Sequence, residues 1–592
     1  MKQYKWQEIS IAWVVLGIIA LFYLVSLLSL FYVRPEYDFN SSIIASWADL
    51  LAIVKQVSLL YLKNTLWQAS LSATIILLLS YILAKAIYHL KPGLTSWLLT
   101  ITNASFSLPT ILVVFAFIGI FGQDGWLRQI LPYQFSIYGL VGIVMANSYF
   151  NLGYCASAIY NGMQKIPIEN IKQAQLCHFN LWQQWRYLEL PYLKNNLINL
   201  WLLVFMLCFN SFALVLFLGG PRYSNFEIAI YNSLMIEGNF TKACVIAVLQ
   251  ILFSLFFIVI ISLVKPKASN NSRANSLQEL QNEQAYLVTL WPWAKIKRAS
   301  AYLYSSLAIL FISIPLLSLF SSGVKSAIFL YQNYQKQQAQ ANNLLEVESN
   351  LSPARSDLAN LSTTVQTREL TGDTFSYPWS ELFDALEMSL IIAGAATIVC
   401  LLASILILRG TRWLGSYAYQ WINNLSLLSI IVPSMLLGAG YFLFFNVGLD
   451  VIVGTWGFVS LIILANAFTS IVFCLNYLYP AYQQIHNYTN LAFNIGMSSW
   501  QSFYLYELPL LKRSIIYAAI TIFILSLGDY SIILFFVNNG QISSITYLLS
   551  HQLNSFASNQ GNITAVCLLL LILSLRFIAY YFANKSPSYT KN

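Results

Sequence analysis

Long uninterrupted apolar runs constrain this chain more than any other feature of its sequence. About twelve runs reach the ~20 residues that a helix needs to cross a hydrocarbon core of ~30 Å. A soluble protein is excluded, because 58% of the residues are hydrophobic and only 9% are charged, whereas soluble domains average about 25% charged residues. Because a spanning segment must satisfy its own backbone hydrogen bonds in lipid, the runs predict an all-α integral membrane protein. The predicted spans lie near residues 10–33, 66–89, 97–122, 136–160, 195–219, 241–264, 300–322, 385–408, 420–446, 452–478, 513–537 and 562–584.

The distribution of basic residues predicts the orientation of these spans. The chain carries 31 Lys and Arg and 22 Asp and Glu, a formal net charge of +9, which is too sparse over this length for a nucleic-acid-binding protein. Lys and Arg are retained on the cytoplasmic side during insertion. With the amino terminus inside, 21 of the 31 fall on that side. An even number of spans then places both termini in the cytoplasm.

Two polar segments interrupt the apolar pattern. Residues 266–298 predict a cytoplasmic linker between a first half, 1–265, and a second half, 299–592, of about six spans each. Residues 323–383 are rich in Gln, Asn and Ser and fall on the outer side. Since this composition cannot bury much apolar area, we interpret the second segment as a poorly ordered periplasmic surface loop in preference to a dedicated docking element.

One segment occurs twice, between the fourth and fifth spans of each half, at about 163–191 and 481–509 on the predicted cytoplasmic side. The identical residues recur at an offset of 318 positions, as Ala174, Trp182, Gln183, Glu189, Leu190, Pro191, Leu193 and Lys194 in the first copy and Ala492, Trp500, Gln501, Glu507, Leu508, Pro509, Leu511 and Lys512 in the second. A repeat of this kind, in register in both halves, indicates duplication.

Each copy is too polar to cross the bilayer but has helix-sized stretches around a central His178 or Gly496. This pattern predicts a short helix, a bend and a second short helix, with a proline that ends or redirects the chain before the next span. An ordinary interfacial helix with Trp182 and Trp500 at the headgroups is the alternative. Duplication favours instead two equivalent docking elements for a two-fold symmetric partner.

At these residues the sequence resembles the permease subunits of bacterial ABC importers, whose cytoplasmic loop carries Glu-Ala-Ala, a Gly four residues on and a later Leu-Pro. The corresponding residues are Lys172, Gln173, Ala174, His178 and Leu190-Pro191 in the first half, and Asn490, Leu491, Ala492, Gly496 and Leu508-Pro509 in the second. Both copies lack the acidic residue and one Ala, and the first half also lacks the Gly. The resemblance implies a type I importer fold of two homologous six-helix halves in the bacterial inner membrane.

The resemblance also implies partner proteins. The chain has no GxxxxGK[ST] phosphate loop to hold ATP, so we expect it not to be an enzyme. A homodimer of a P-loop ATPase would bind ATP and Mg and receive both loops, and a periplasmic binding protein would deliver a small-molecule substrate. The chain is expected to bind no cofactor and no metal, because its His and Cys residues lie singly. The residues expected to couple to the ATPase are Lys172, Gln173, Ala174, His178, Trp182, Glu189, Pro191, Asn490, Leu491, Ala492, Gly496, Trp500, Glu507 and Pro509.

Finer features are similar to permeases for thiamine and thiamine pyrophosphate. In the first half these are residues 207–213, running into Gly219-Gly220-Pro221, and residues 227–231; in the second they are residues 526–529 with Gln552-Leu553 beyond them. Related iron(III) and polyamine permeases share much of this framework and remain alternatives. An ion-coupled secondary transporter is disfavoured, because it would require coupling carboxylates in several spans.

Asp529 is the one carboxylate deep within a strongly apolar run, the eleventh predicted span. An ionised group at mid-bilayer costs about 2.5–3.5 kcal/mol on insertion scales. The repeat offset pairs Asp529 with Ser211, beside Asn210. We hypothesise that these three residues line the substrate pathway and that Asp529 meets the positively charged thiazolium ring. The alternative is a carboxylate near the outer headgroups or bonded to a neighbouring helix.

Overall fold

The computed structural model describes residues 2–32, 54–55, 61–90, 92–122, 125–127, 136–264, 294–349, 377–414, 432–445, 454–537, 542–555 and 557–584. These residues form helices and contain no strand, which confirms the predicted all-α membrane fold. The first half contains α1 (Lys2–Tyr32), α2 (Lys63–Tyr88), α3 (Pro92–Ala104), α4 (Thr110–Phe121), α5 (Leu140–Met163), α6 (Ile168–Leu176), α7 (Leu181–Gln183), α8 (Leu190–Phe209), α9 (Phe212–Leu218), α10 (Phe226–Tyr231) and α11 (Phe240–Val264). The second half contains α12 (Ala294–Ser349), α13 (Trp379–Thr411), α14 (Ser434–Leu443), α15 (Thr455–Thr469), α16 (Ile471–Asn494), α17 (Ser499–Ser502), α18 (Leu508–Leu527), α19 (Ile533–Phe536), α20 (Ile545–Asn554) and α21 (Ser558–Asn584).

Within the described part of the chain, 8 helices are long and apolar enough to cross a membrane, or 10 with two bent pairs of helices each taken as one span. Two further predicted spans account for the difference from twelve. One is α5, which is long enough but carries Asn, Ser and Gly along its length. The other, 420–446, is represented by the short α14, and its residues 420–431 lie outside the described ones.

Four predicted spans are broken rather than continuous, contrary to expectation. The span at 452–478 bends by 46° between Thr469 and Ile471. The span at 97–122 bends by 102° between Ser107 and Thr110. The span at 195–219 ends at Phe209 and restarts at Phe212. The span at 513–537 likewise ends at the C-terminus of α18 and restarts as α19. Hydropathy alone cannot show such breaks, because the residues on both sides of each break are apolar.

The predicted surface loop at 323–383 is wrong over residues 323–349, which continue α12 as part of a 56-residue helix, and over residues 379–383, which begin α13. At 1.5 Å per residue α12 is ~84 Å long, far more than one bilayer requires. The extension contains five Gln, three Ala and three Leu, which have high helix propensity. It continues a helix already nucleated in the membrane. Residues 350–376 of the predicted loop and 266–293 of the predicted linker lie outside the described residues.

The two halves exchange their first helices. Helix α1 packs against α13 and α14 of the second half, while α12 packs against α2 and α4 of the first. Ser26 donates a hydrogen bond to the carbonyl of Leu437 at 3.2 Å, and the Tyr441 hydroxyl donates to the carbonyl of Phe22 at 2.9 Å. Gly440 permits this approach, since a Cβ there would lie 2.2 Å from the Ser26 carbonyl oxygen. Neither half therefore completes its core alone.

Candidate functional site

A central cavity of about 340 Å³ opens where the helices are broken. Its wall includes Pro109 and Pro433, each at the start of a helix, and Ser211 and Asp529, each just after the end of one. The breaks come from corresponding places in the two halves, so the cavity has approximate two-fold symmetry. Unwound backbone at membrane depth is tolerated where it lines a cavity, and matched interruptions in two repeats are typical of binding sites in transporters.

The two prolines begin corresponding helices of the two halves in the same way. Pro109 has φ −56° and ψ 134°, and Pro433 has φ −57° and ψ 145°, so both are extended residues at helix N-termini. A proline has no N–H to continue a preceding helix. Neither proline was among the predicted site residues. A sequence signal exists, because residues 107–110 and 432–434 each have a proline beside a hydroxyl residue in an apolar run.

Two asparagines form another matched pair on the cavity wall, Asn147 on α5 and Asn466 on α15. The Asn147 side-chain amide donates to the Ser72 hydroxyl at 3.4 Å. That of Asn466 donates to the Ser526 hydroxyl at 3.0 Å. Both residues are at least 97% buried. Their remaining amide hydrogen-bonding groups can therefore bond only to neighbouring residues or to a molecule in the cavity.

Asp529, Ser211 and Asn210 all lie on the wall of this cavity, so the three predicted pathway residues are brought together. The backbone amide groups of Tyr530, Ser531 and Ile532 lie near the Asp529 carboxylate. Its Oδ2 atom is buried and has no hydrogen-bond partner among the described residues. The carboxylate therefore has an unsatisfied oxygen at the cavity, which is an arrangement suited to a cation.

The bend at the centre of each repeated loop has the same backbone conformation in both halves. The helix before the bend differs, because in the second half it is the end of the 24-residue α16 and not a separate short helix as predicted. His178 has φ 50° and Gly496 has φ 88°, so both bends use the left-handed region that favours glycine. The missing Gly of the first half therefore does not remove its bend. Two residues later each loop begins a helix with a reciprocal cap, Asn180 with Gln183 and Ser498 with Gln501.

Pro191 and Pro509 do not end or redirect the chain, contrary to prediction. Each lies in the first turn of a helix, where a missing N–H costs little, and a π-helical turn joins that helix to the preceding one. The second short helix of each loop therefore runs directly into a span, as continuous helices Leu181–Phe209 and Ser499–Leu527. Asn210 and Gly528, the residues that follow these helices, lie on the cavity wall.

The loops present an exposed apolar surface. Trp182 is 65% exposed and Trp500 is 74% exposed. Exposed neighbours of these two residues are Leu176, Leu181 and Tyr187 in the first half and Ile495, Tyr504 and Leu505 in the second. Exposed apolar patches of this kind mark protein or membrane contacts.

The other predicted coupling residues divide by exposure. Lys172, Gln173, His178, Pro191, Gly496 and Pro509 are exposed, whereas Ala174, Glu189 and Glu507 are buried. Asn490, Leu491 and Ala492 belong to α16, and their side chains lie outside the described ones.

The buried Glu189 and Glu507 anchor the loops to the membrane helices by ion pairs. Glu189 lies 3.0 Å from the ammonium nitrogen of Lys85 on α2 and accepts a hydrogen bond from the Tyr81 hydroxyl. Glu507 lies 2.5 Å from Arg412 and 3.5 Å from Arg409. Arg409 lies in the last turn of α13. Burial lowers the pKa of Arg412, but the charges of Glu507 and Glu8 outweigh burial and raise the pKa above its ordinary value.

The chain matches a known family model twice. The model is described as "Binding-protein-dependent transport system inner membrane component", and it matches residues 76–270 and again 400–586. The chain belongs to this family. It is a fused permease with one copy of the family domain in each half, and it is a multi-pass membrane protein.

Three relatives cover most of this permease. The thiamine transport system permease protein ThiP of Haemophilus influenzae is 29% identical over 85% of each chain. The proteins of the same name from Escherichia coli and Salmonella typhimurium are 27% identical over 93% of this chain and 92% of the relative, and 25% identical over 87% of each. The similarity extends over both halves, as the prediction of a two-half permease required.

Proposed function

We propose that this permease forms the pathway for thiamine or thiamine pyrophosphate in an ATP-driven importer. The observation that carries the proposal is the cavity at the matched helix breaks, with the unsatisfied carboxylate oxygen of Asp529 on its wall. Its volume of about 340 Å³ lies within the ~300–1,000 Å³ range of small-molecule sites. The relatives named as thiamine permeases support the choice of substrate.

Thiamine combines a permanent cation with polar ring atoms, and the cavity offers partners for both. Asp529 supplies a negative charge, and Asn210, Ser211, Asn147 and Asn466 supply hydrogen-bonding groups. An ionised carboxylate at membrane depth is costly, and a cation beside it offsets that cost. Asp529 therefore favours the thiazolium cation that thiamine and thiamine pyrophosphate share.

The energy for transport comes, in this proposal, from two copies of a P-loop ATPase, which bind ATP and Mg and dock on the two loops. A periplasmic binding protein delivers the substrate from the other side of the inner membrane, and both termini lie in the cytoplasm. The continuous helices Leu181–Phe209 and Ser499–Leu527 support this mechanism. Because each joins an exposed tryptophan to the cavity wall, a displacement of the loop reaches the pathway through a single rigid element.

Substitution of Asp529 tests the pathway. In proteoliposomes that contain the ATPase, the binding protein and this chain, Asp529→Asn should lower thiamine uptake about tenfold, as the loss of ~1.4 kcal/mol of cation stabilisation would. Asp384→Asn is the matched control, because Asp384 is exposed on α13. Unchanged uptake by Asp529→Asn, with intact assembly, would contradict the role of Asp529.

Competition and energy source test the function itself. Unlabelled thiamine should displace labelled thiamine, whereas a polyamine or iron(III) should not; the reverse result would assign one of those substrates. Uptake should require ATP and persist when ion gradients are dissipated. Uptake by the chain alone in nucleotide-free vesicles would instead indicate an ion-coupled transporter.

A further inference from the structure

The second loop is held by a side chain from the other half of the molecule, Glu8 of α1. The Glu8 carboxylate lies 2.9 Å from Arg409 and 2.6 Å from Arg412, both at the end of α13. It also accepts hydrogen bonds from the Trp413 indole N–H at 2.6 Å and from the Ser499 hydroxyl. Ser499 is the first residue of α17, so Glu8 reaches the N-terminus of the second coupling helix.

This cluster is a balanced buried ion network. Glu8 and Glu507 supply two negative charges, and Arg409 and Arg412 supply two positive charges. The four side chains are between 0 and 10% exposed. In such a network the removal of one charge leaves its partners uncompensated in a low-dielectric site, so the positions of all four depend on Glu8.

The network holds the coupling helix as well as the charges. Arg409 donates to the carbonyl oxygen of Ser499 at 2.8 Å and to its hydroxyl at 2.7 Å. The Arg409 guanidinium also lies 4.9 Å from the ring centroid of Phe503. Trp500, the exposed residue next to Ser499, is thus attached to a backbone fixed by Arg409, and Arg409 is in turn oriented by Glu8.

The residues of the first half that correspond to Arg412 and Ser499 cannot form the same contacts. The offset that relates Pro109 to Pro433 also relates Lys85 to Arg409, and it places Tyr88 where the second half has Arg412. Leu181 corresponds to Ser499 by the loop offset. Tyr88 and Leu181 carry no charge, so the first loop is anchored by the pair of Lys85 with Glu189.

We propose that Glu8 is a positioning residue that couples the second loop, and not the first, to the exchanged helix α1. This inference rests on the proposed function, because it assigns Glu8 a part in transmitting the movement of the ATPase to the membrane helices. Helix α1 packs on α13 and α14, and α14 begins immediately after Pro433 on the cavity wall. Glu8 therefore joins the second coupling helix to an element that also contacts the helix at the cavity.

The test compares Glu8→Gln, Glu8→Asp and the control Glu381→Gln in the full chain. Glu381 is exposed in the first turn of α13, far in sequence from the network. Hydrogen exchange is measured in peptides that cover residues 180–189 and 498–507. Glu8→Gln should raise exchange about fivefold in 498–507 and leave 180–189 at the parent rate, because an uncompensated arginine destabilises only the second loop. Glu8→Asp, which keeps the charge, should restore at least part of the protection.

The same variants are then assembled with the ATPase and the binding protein. Glu8→Gln should lower the substrate transported per ATP hydrolysed about threefold or more, since one of two coupling elements is loosened. Equal exchange changes in both loops, or parent-like exchange in 498–507, would overturn the inference, as would an unchanged transport ratio. If the parent complex shows no ATP-dependent uptake, the proposed function fails, while the exchange comparison still decides the position-specific role of Glu8.

Discussion

Removal of Glu507 should destabilise the protein far more than removal of its repeat-mate Glu189. Glu507 is fully buried between two arginines that are 7 and 10% exposed. Truncation of one member of a buried ion pair costs ~3–5 kcal/mol, because the remaining charges stay desolvated. Glu507→Ala leaves Arg409 and Arg412 with Glu8 as their remaining carboxylate in the network, so we expect a loss at this level in the free energy of unfolding.

Glu189→Ala should cost less for a structural reason. Lys85 is 24% exposed and its ammonium group can reach water when its partner is removed. The loss is then that of hydrogen bonds to a charged group, ~1.5–3 kcal/mol. We therefore expect Glu507→Ala to be the more damaging of two substitutions that look identical in the repeat.

A thiol-reactive fluorophore measures this difference during unfolding in detergent. Cys155 and Cys208 of the first half and Cys400 and Cys474 of the second are buried, so they react only as the protein unfolds. Cys177 is exposed and Cys244 and Cys567 are partly exposed, so these three are replaced by Ser in every variant to remove the background signal. Equal losses for the two variants, or a larger loss for Glu189→Ala, would refute the reasoning from burial and charge number.

Three further predictions follow from the backbone and from exposure. His178→Gly should retain the ATPase, whereas His178→Val should lower the amount retained about fivefold, as ~1 kcal/mol of left-handed strain would, measured by co-purification. Gly153→Ala should reduce the yield of folded protein in size-exclusion chromatography, because its Cβ would lie 1.9 Å from the Thr102 carbonyl oxygen. Cys177 is exposed whereas Cys155 is buried; a membrane-impermeant maleimide should label Cys177 in inverted vesicles but not in spheroplasts, and the opposite result would reverse the proposed orientation.

The sequence was sufficient for much of the fold. Spans are visible because a helix in lipid requires about 20 consecutive apolar residues, which is a local property. The duplicated loop and the pairing of Asp529 with Ser211 followed from a constant offset between the halves. Equivalent residues of a repeat occupy equivalent positions about a symmetry axis, and Ser211 and Asp529 both lie on the wall of one cavity; their role in the substrate pathway stays a prediction.

The long helix α12 shows where composition misled. A Gln-rich segment cannot build a core, and this reasoning favoured a loop at 323–383. Helix formation has a costly nucleus but inexpensive propagation, so a helix that starts in the membrane extends through residues of good propensity to Ser349. The error came from treating the segment apart from the span that precedes it.

Tertiary structure alone decided how the halves act on each other. Glu8 and Arg409 are 401 residues apart in the chain, and nothing near either residue indicates that the other is its partner. The exchange of α1 and α12 between the halves, and the difference between the two loop anchors, depend on such contacts. Periodicity and composition show whether a segment suits lipid or water. Which distant residues come into contact is decided by packing and by the need to neutralise buried charge.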